Sequence, residues 1–141
     1  LEPRNARRCA VGESPVWRAS EGALYWVDIP AQMLMRYEVS RARRTEWVLP
    51  ERVGCIAFDR HGTVLAALET GLFALELHEP AGNEALATKA EAEAETETEG
   101  HRGTVTAHRL ACVRHEAGRM RFNDGRCDRQ GRFWAGTMVQ D

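Results

Sequence analysis

RFNDGRCDRQGRFWAGTM, Arg121 to Met138, sets an Arg, an Asn and an Asp together ahead of a strand-like run that ends in small residues. Taken alone, it reads as two turns and a strand. NDG and DRQG each supply an Asx side chain and a glycine, and FWAGT supplies β-formers. Two other segments share its second half: RASEGALYWVDI, residues 18–29, and DRHGTVLAAL, residues 59–68, also place a polar turn with Gly before an apolar strand. Their turn glycines, Gly22, Gly62 and Gly131, lie 40 residues apart (22 to 62) and then 69 apart (62 to 131). Removing an insertion of about 24 residues from the second interval leaves about 45, the period of a four-stranded propeller blade. The spacing predicts part of a β-propeller.

The remaining apolar clusters fit that reading. GESPVW, ALYWVDI, MLMRYEV, TEWVLP, GCIAF, TVLAAL and GLFALEL are short runs divided by Gly, Pro, Ser or charged pairs. That is the cadence of an all-β fold. The exception is NEALATKAEAEAETETEG, which has no apolar face and places like charges at i,i+2 and i,i+4. It buries too little to offset its ordering entropy, so it is read as a flexible acidic insertion at about 80–103.

Composition excludes several classes. The 141 residues carry 19 basic and 21 acidic side chains, a formal charge of -2, and six Glu against Lys89 between Glu84 and Glu99 leave about +3 for everything else. That is too small a basic excess for a nucleic-acid footprint. No apolar run approaches the ~18 residues needed to span a bilayer, and LEPRNARRCAVG has no apolar signal-peptide core. A cytoplasmic protein without a membrane or nucleic-acid partner is expected, its start at Leu1 suggesting a trimmed N-terminus. Cys9, Cys55, Cys112 and Cys127 show no zinc-ligand spacing and are expected to be reduced and mostly buried. His101, His108 and His115 recur every seven residues, but VTAHRLACV looks extended, which argues against their convergence on a metal.

GESPVW (12–17), LYWVDI (24–29) and RFNDGRCDRQGRFWAGTM, in that order, resemble the signature segments of the SMP-30/gluconolactonase/regucalcin-like family. The resemblance runs from about Cys9 to Asp141. It implies a six-bladed β-propeller of which about three blades are present, so that 1–141 is the N-terminal half of a single propeller domain. It further implies metal-dependent hydrolysis of sugar lactones to aldonic acids. The alternative is a non-catalytic calcium-binding propeller or an interaction module. A small-molecule sugar lactone is the expected partner, and the C-terminal half of the propeller, or self-association, is expected to cover the open sheet edges.

The resemblance also assigns residues. Glu13 matches the family's metal-binding glutamate, a hard oxygen donor suited to one divalent ion, Ca, Zn, Mn or Mg. Arg121 and Asn123 match a substrate-contacting pair, with Asn123 also able to approach the metal. Asp141 falls where relatives carry an acidic substrate-binding residue, often Glu. No catalytic base lies in the chain: the family places that Asp, with a further Asn ligand, in the second half. Asp124 and Gly125 are read as a turn, Asp28 as a strand-end cap or a ligand, and Glu69 as part of a hairpin. Trp17, Trp26 and Trp134 are read as packing between blades in preference to stacking on a sugar.

Overall fold

The computed structural model describes residues 8–80, 101–116 and 118–140. Strands β1 (Gly12–Arg18), β2 (Ala23–Asp28), β3 (Met33–Glu38) and β4 (Arg43–Val48) form one antiparallel meander. Strands β5 (Val53–Phe58), β6 (Val64–Leu68), β7 (Gly71–His78) and β8 (His101–Cys112) form a second. Strands β9 (Met120–Cys127) and β10 (Phe133–Val139) form a hairpin. The two meanders meet at their last strands, where Thr45–Trp47 pairs in parallel with His101–Gly103. Their first strands come together on the other side, with β1 and β9 both packed against β5. This is the radial repetition of a β-propeller: two whole blades and the first hairpin of a third. The acidic tract, residues 81–100, lies between β7 and β8 and outside the described residues, and β8 already begins at His101.

The repeat inferred from the turns is physical. Gly22, Gly62 and Gly131 adopt positive φ of 59°, 91° and 79°. In the second and third turns the same Asp does the same work. Asp59 Oδ1 accepts the amides of His61 and Thr63, each at 2.8 Å, while Asp128 Oδ1 accepts those of Gln130 at 2.9 Å and Arg132 at 3.0 Å. Each is an Asx turn closed by glycine. The Asp128 carboxyl is held below the ordinary carboxylate range, first by the Trp134 indole N–H and then by donors of Arg132 and Gln130, against a smaller burial penalty.

Alternation along the strands builds the core. In β2, Ala23, Tyr25 and Val27 are buried and Leu24 is exposed. They join Leu34, Trp47, Val53, Ile56, Val64, Ala66, Leu68 and Leu75 between the blades. Trp47, fully buried, seals the outer junction: its indole N–H donates to His78 O at 3.0 Å, and Gly103 lies so close to the ring that a Cβ would overlap it. Arg36 roofs this tryptophan, its guanidinium 5.3 Å from the ring centroid and paired with Glu38 at 2.6 Å and Glu79 at 2.5 Å.

Three expectations need correction. Asp124 and Gly125 are not a turn: both lie inside β9, and Gly125 is absent from the glycines with positive φ. Gly125 is required for space, because a Cβ there would stand 2.6 Å from Cys55 Sγ. Of the four cysteines only Cys55 is buried, whereas Cys112 and Cys127 are exposed and Cys9 is intermediate. Trp17 and Trp134 are 55% and 62% exposed and do not pack between the blades described; Trp47 does. The seven-residue histidines diverge, His108 meeting Glu76 at 3.3 Å and His115 the carbonyl of Glu69 at 2.7 Å.

Two outcomes follow for the chain in solution. Burial, then the nearby Asp124 carboxylate, pushes the Cys55 thiol up to about 12, so a maleimide at neutral pH should label Cys112 and Cys127 within minutes and Cys55 only after denaturation, read by mass spectrometry of peptides. Gly54→Ala would drive a Cβ into the Phe122 carbonyl and should destabilise by about 2 kcal/mol, measured as a lowered urea midpoint.

Candidate functional site at the inner-strand mouth

The three inner strands share one irregularity. In β1 the register slips between Glu13 and Val16, in β5 between Val53 and Cys55, and in the β9–β10 pair between Gly136 and Thr137, opposite Asp124 and Phe122. Each inner strand therefore carries one extra residue near its start: within Ser14–Pro15, at Gly54, and at Asn123. A bulge bends the strand and re-aims side chains. Glu13, Arg52, Arg121 and Asn123 all stand near the starts of these strands.

Contacts between blades explain where the bulges sit. Ser14, at φ 52°, turns its Oγ onto β5, where it accepts the Ile56 amide at 3.0 Å and lies 3.5 Å from the Ile56 carbonyl. Gly54 lets the β9 backbone at Phe122 and Asn123 approach where any side chain would block it. Phe122 then packs with Cys55 and Ala67. Asp28, 3% exposed at the end of β2, accepts the amides of Ala10 at 3.0 Å and Val11 at 3.2 Å, so its carboxylate caps the segment leading into Glu13. That is the capping role, and it leaves little of the carboxylate for a ligand.

Arg121 is the unusual group. The residue is 8% exposed, yet among the described residues Nη1 is satisfied only within its own strand, donating to Phe122 O at 2.9 Å and Asn123 Oδ1 at 3.1 Å, and its buried Nε has no partner there. Burying a guanidinium costs several kcal/mol unless its donors are matched. The pairing also fixes Asn123. With Oδ1 accepting from Arg121, Asn123 keeps its NH2 as a donor. The structure thus joins Arg121 with Asn123.

Glu13 is exposed at the β1 bulge, with no hydrogen bond or ion pair among the described residues. A free carboxylate suits a hard cation, but it is one donor where calcium takes 6–8 oxygens. No group of three or more His, Cys, Asp or Glu among the described residues could hold a metal. Asp141 lies outside the described residues.

Sequence reasoning missed Ser14, Arg52 and Gln140, and it saw Glu69 only as a hairpin residue. Glu69 does occupy the two-residue turn between β6 and β7, but its carboxylate also grips Arg52 and is held below the ordinary range, chiefly by that contact and secondarily by the charges of Arg52, Arg121 and His115. Ser14–Pro15 offered a faint signal, since Pro inside a strand marks an edge or a bulge.

A family model described as SMP-30/Gluconolactonase/LRE-like region matches residues 11–141. The chain is 35% identical over 130 residues to a 6-deoxy-6-sulfogluconolactonase of Pseudomonas putida, covering 92% of this chain and 36% of that protein. It is 29% identical over 133 residues to regucalcin of Homo sapiens, covering 94% and 36%. Among solved structures it resembles a luciferin-regenerating enzyme, with TM-score 0.70, 23% identity and coverage of 94% of this chain and 38% of the other. It also resembles a calcium-binding protein, regucalcin, from Agrobacterium tumefaciens, with TM-score 0.70, 21% identity and coverage of 97% and 38%. The chain therefore spans little more than a third of the length of these relatives.

Ser14→Ala should strand the Ile56 amide between β1 and β5. A loss of about 1–3 kcal/mol in chemical denaturation is expected, with hydrogen exchange at Ile56 accelerated beyond that of the outer strands.

Proposed function

Because the chain belongs to the SMP-30/gluconolactonase/LRE-like family, we propose that it is the N-terminal part of a β-propeller lactonase, which opens sugar lactones to aldonic acids with the help of one divalent metal ion. The observation that carries this reading is the buried Arg121, coupled to Asn123 near the start of an inner strand. Such a pair presents charged and neutral donors side by side, suited to ring hydroxyls and to the oxygen that gains charge as a lactone opens. A relative named as a sulfogluconolactonase supports the substrate class, and a structural neighbour described as a calcium-binding protein, regucalcin, supports the divalent ion.

In this proposal Arg121 and Asn123 hold the sugar, Asp141 adds an acidic contact, and Glu13 supplies one carboxylate to the metal. When bound, the ion would polarise the lactone carbonyl and lower the pKa of a bound water. Arg121, already desolvated, binds substrate oxygen without losing further hydration, and its link to Asn123 keeps the two side chains adjacent. The general base and the other metal donors come from the rest of the propeller, which also covers the free edges of β1 and β10. A cytoplasmic location belongs to the same proposal; among the described residues no helix is long and apolar enough to cross a membrane.

The calcium-binding character of the structurally similar regucalcin favours a second reading, a non-catalytic metal-stabilised propeller. Glu13→Gln in the full-length protein separates the two. The lactonase should lose at least a hundredfold in proton release from D-glucono-1,5-lactone, and EDTA should do the same to the wild type. A scaffold would show no turnover before or after the substitution and only a lowered Tm.

A further inference from the structure

Arg52, immediately ahead of β5, lies at the centre of a network that crosses from the second blade to the third. Its Nε donates to Glu69 Oε2 at 3.0 Å and its Nη2 pairs with Glu69 Oε1, a bidentate grip. Its Nη1 reaches the other way and donates to Gln140 Oε1, just past the end of β10. Gln140 in turn donates its backbone N–H to Arg119 O at 2.9 Å, closing the hairpin where β9 begins. From the same turn, the Glu69 carbonyl accepts His115 Nε2 at 2.7 Å, and the His115 ring meets Phe122 edge-on with centroids 5.9 Å apart. Phe122 stands between Arg121 and Asn123. Both arms of the network thus converge on the three residues that carry the candidate substrate pair.

The chemistry of the grip matters more than its strength. Both partners are partly exposed, Arg52 at 27% and Glu69 at 34%, so the ion pair adds little to stability. A planar guanidinium held at two nitrogens has no rotational freedom left, and its third nitrogen becomes a fixed donor. Among the described residues, Arg52 to Gln140 is the side-chain hydrogen bond that ties the second blade to the β9–β10 hairpin. The pairing of Met138 with Arg121 and Val139 with Met120 carries that constraint one residue further, to the Arg121 backbone.

We infer that Arg52 is a positioning residue of the substrate site: Glu69 locks its guanidinium, and the guanidinium fixes the β9–β10 hairpin so that Arg121 and Asn123 face the substrate in one geometry. Arg52 touches no substrate in this scheme. The inference rests on the reading of Arg121 and Asn123 as substrate contacts, and it adds a residue that acts through them.

The test uses the full-length protein with D-glucono-1,5-lactone and compares Arg52→Met, Arg52→Lys, Gln140→Leu and the Arg52→Met/Gln140→Leu double variant. Gln140→Leu leaves the Arg52–Glu69 pair intact, so it guards against a variant that simply fails to fold. Expected are KM values raised about tenfold in Arg52→Met and in Gln140→Leu, with kcat within about twofold and with Tm little changed. The double variant should be no worse than either single one, since both cut the same link. Arg52→Lys, which keeps the charge and loses the fork, should resemble Arg52→Met. An unchanged KM in folded Arg52→Met and Gln140→Leu, or additive effects in the double variant, overturns the positioning role while leaving the lactonase intact. A wild type that binds and turns over no lactone overturns the substrate reading itself, and the positioning role with it.

Discussion

The structure depends on how closely β5 and β9 approach. At Gly54 the β9 backbone occupies the volume a side chain would need, and two residues further along, Gly125 clears room for Cys55 Sγ. Each strand gives up a Cβ to the other. With the inner strands in contact, the blades fan outward, and the space between them is filled by Trp47, Leu34, Leu68 and Leu75. The outer seam is set in the same way, Gly103 yielding to the Trp47 ring. A radial sheet assembly needs small residues near its axis and large ones away from it, and this chain distributes them so.

Close approach also creates the site. A strand that must slide against its neighbour's backbone cannot keep a regular ladder on both sides, and each inner strand absorbs the mismatch as one extra residue near its start. Those bulges fall where Glu13 and Asn123 stand. The same short stretch holds the buried Arg121, whose guanidinium donates to the Phe122 carbonyl and to Asn123. Placing a guanidinium there opposes folding. The tightly packed glycine contacts beneath it make that cost tolerable, so packing and function meet in the same short segment.

Much of this was legible in the sequence for a local reason. A positive-φ glycine after an Asp is dictated by the turn itself, so Gly62 and Gly131 announce their hairpins without knowledge of the rest of the chain. Strand alternation in ALYWVD is likewise local. Gly125 was misread because glycine serves two purposes, and only the position of Cys55, far away in sequence, reveals that the need is for space instead of a turn. Trp17 and Trp134 both lie in strands, but burial depends on what stands opposite, which periodicity does not encode. Glu13 and Arg121 were identified by motif; nothing about their local sequence tells that one would be exposed and the other buried.

Arg52 marks the limit of such reading. PERVG is an ordinary charged approach to a strand, and Glu69 is an ordinary turn residue; each looks like solvated surface. Their partnership arises because β5 and β6 are antiparallel, so the residue before the first and the residue after the second are neighbours, as the Val53–Leu68 pair shows. Gln140 occupies the matching place after β10, one blade on. The repeat therefore puts the exits of successive second strands within reach of the inner-strand starts, and a long forked side chain at one of them can hold its own blade and the next together. A lysine would satisfy Glu69 equally well as a charge, but only a guanidinium grips one carboxylate with two nitrogens and still has a third to offer, which makes the identity of Arg52, and not its charge alone, the feature on which the mouth is organised.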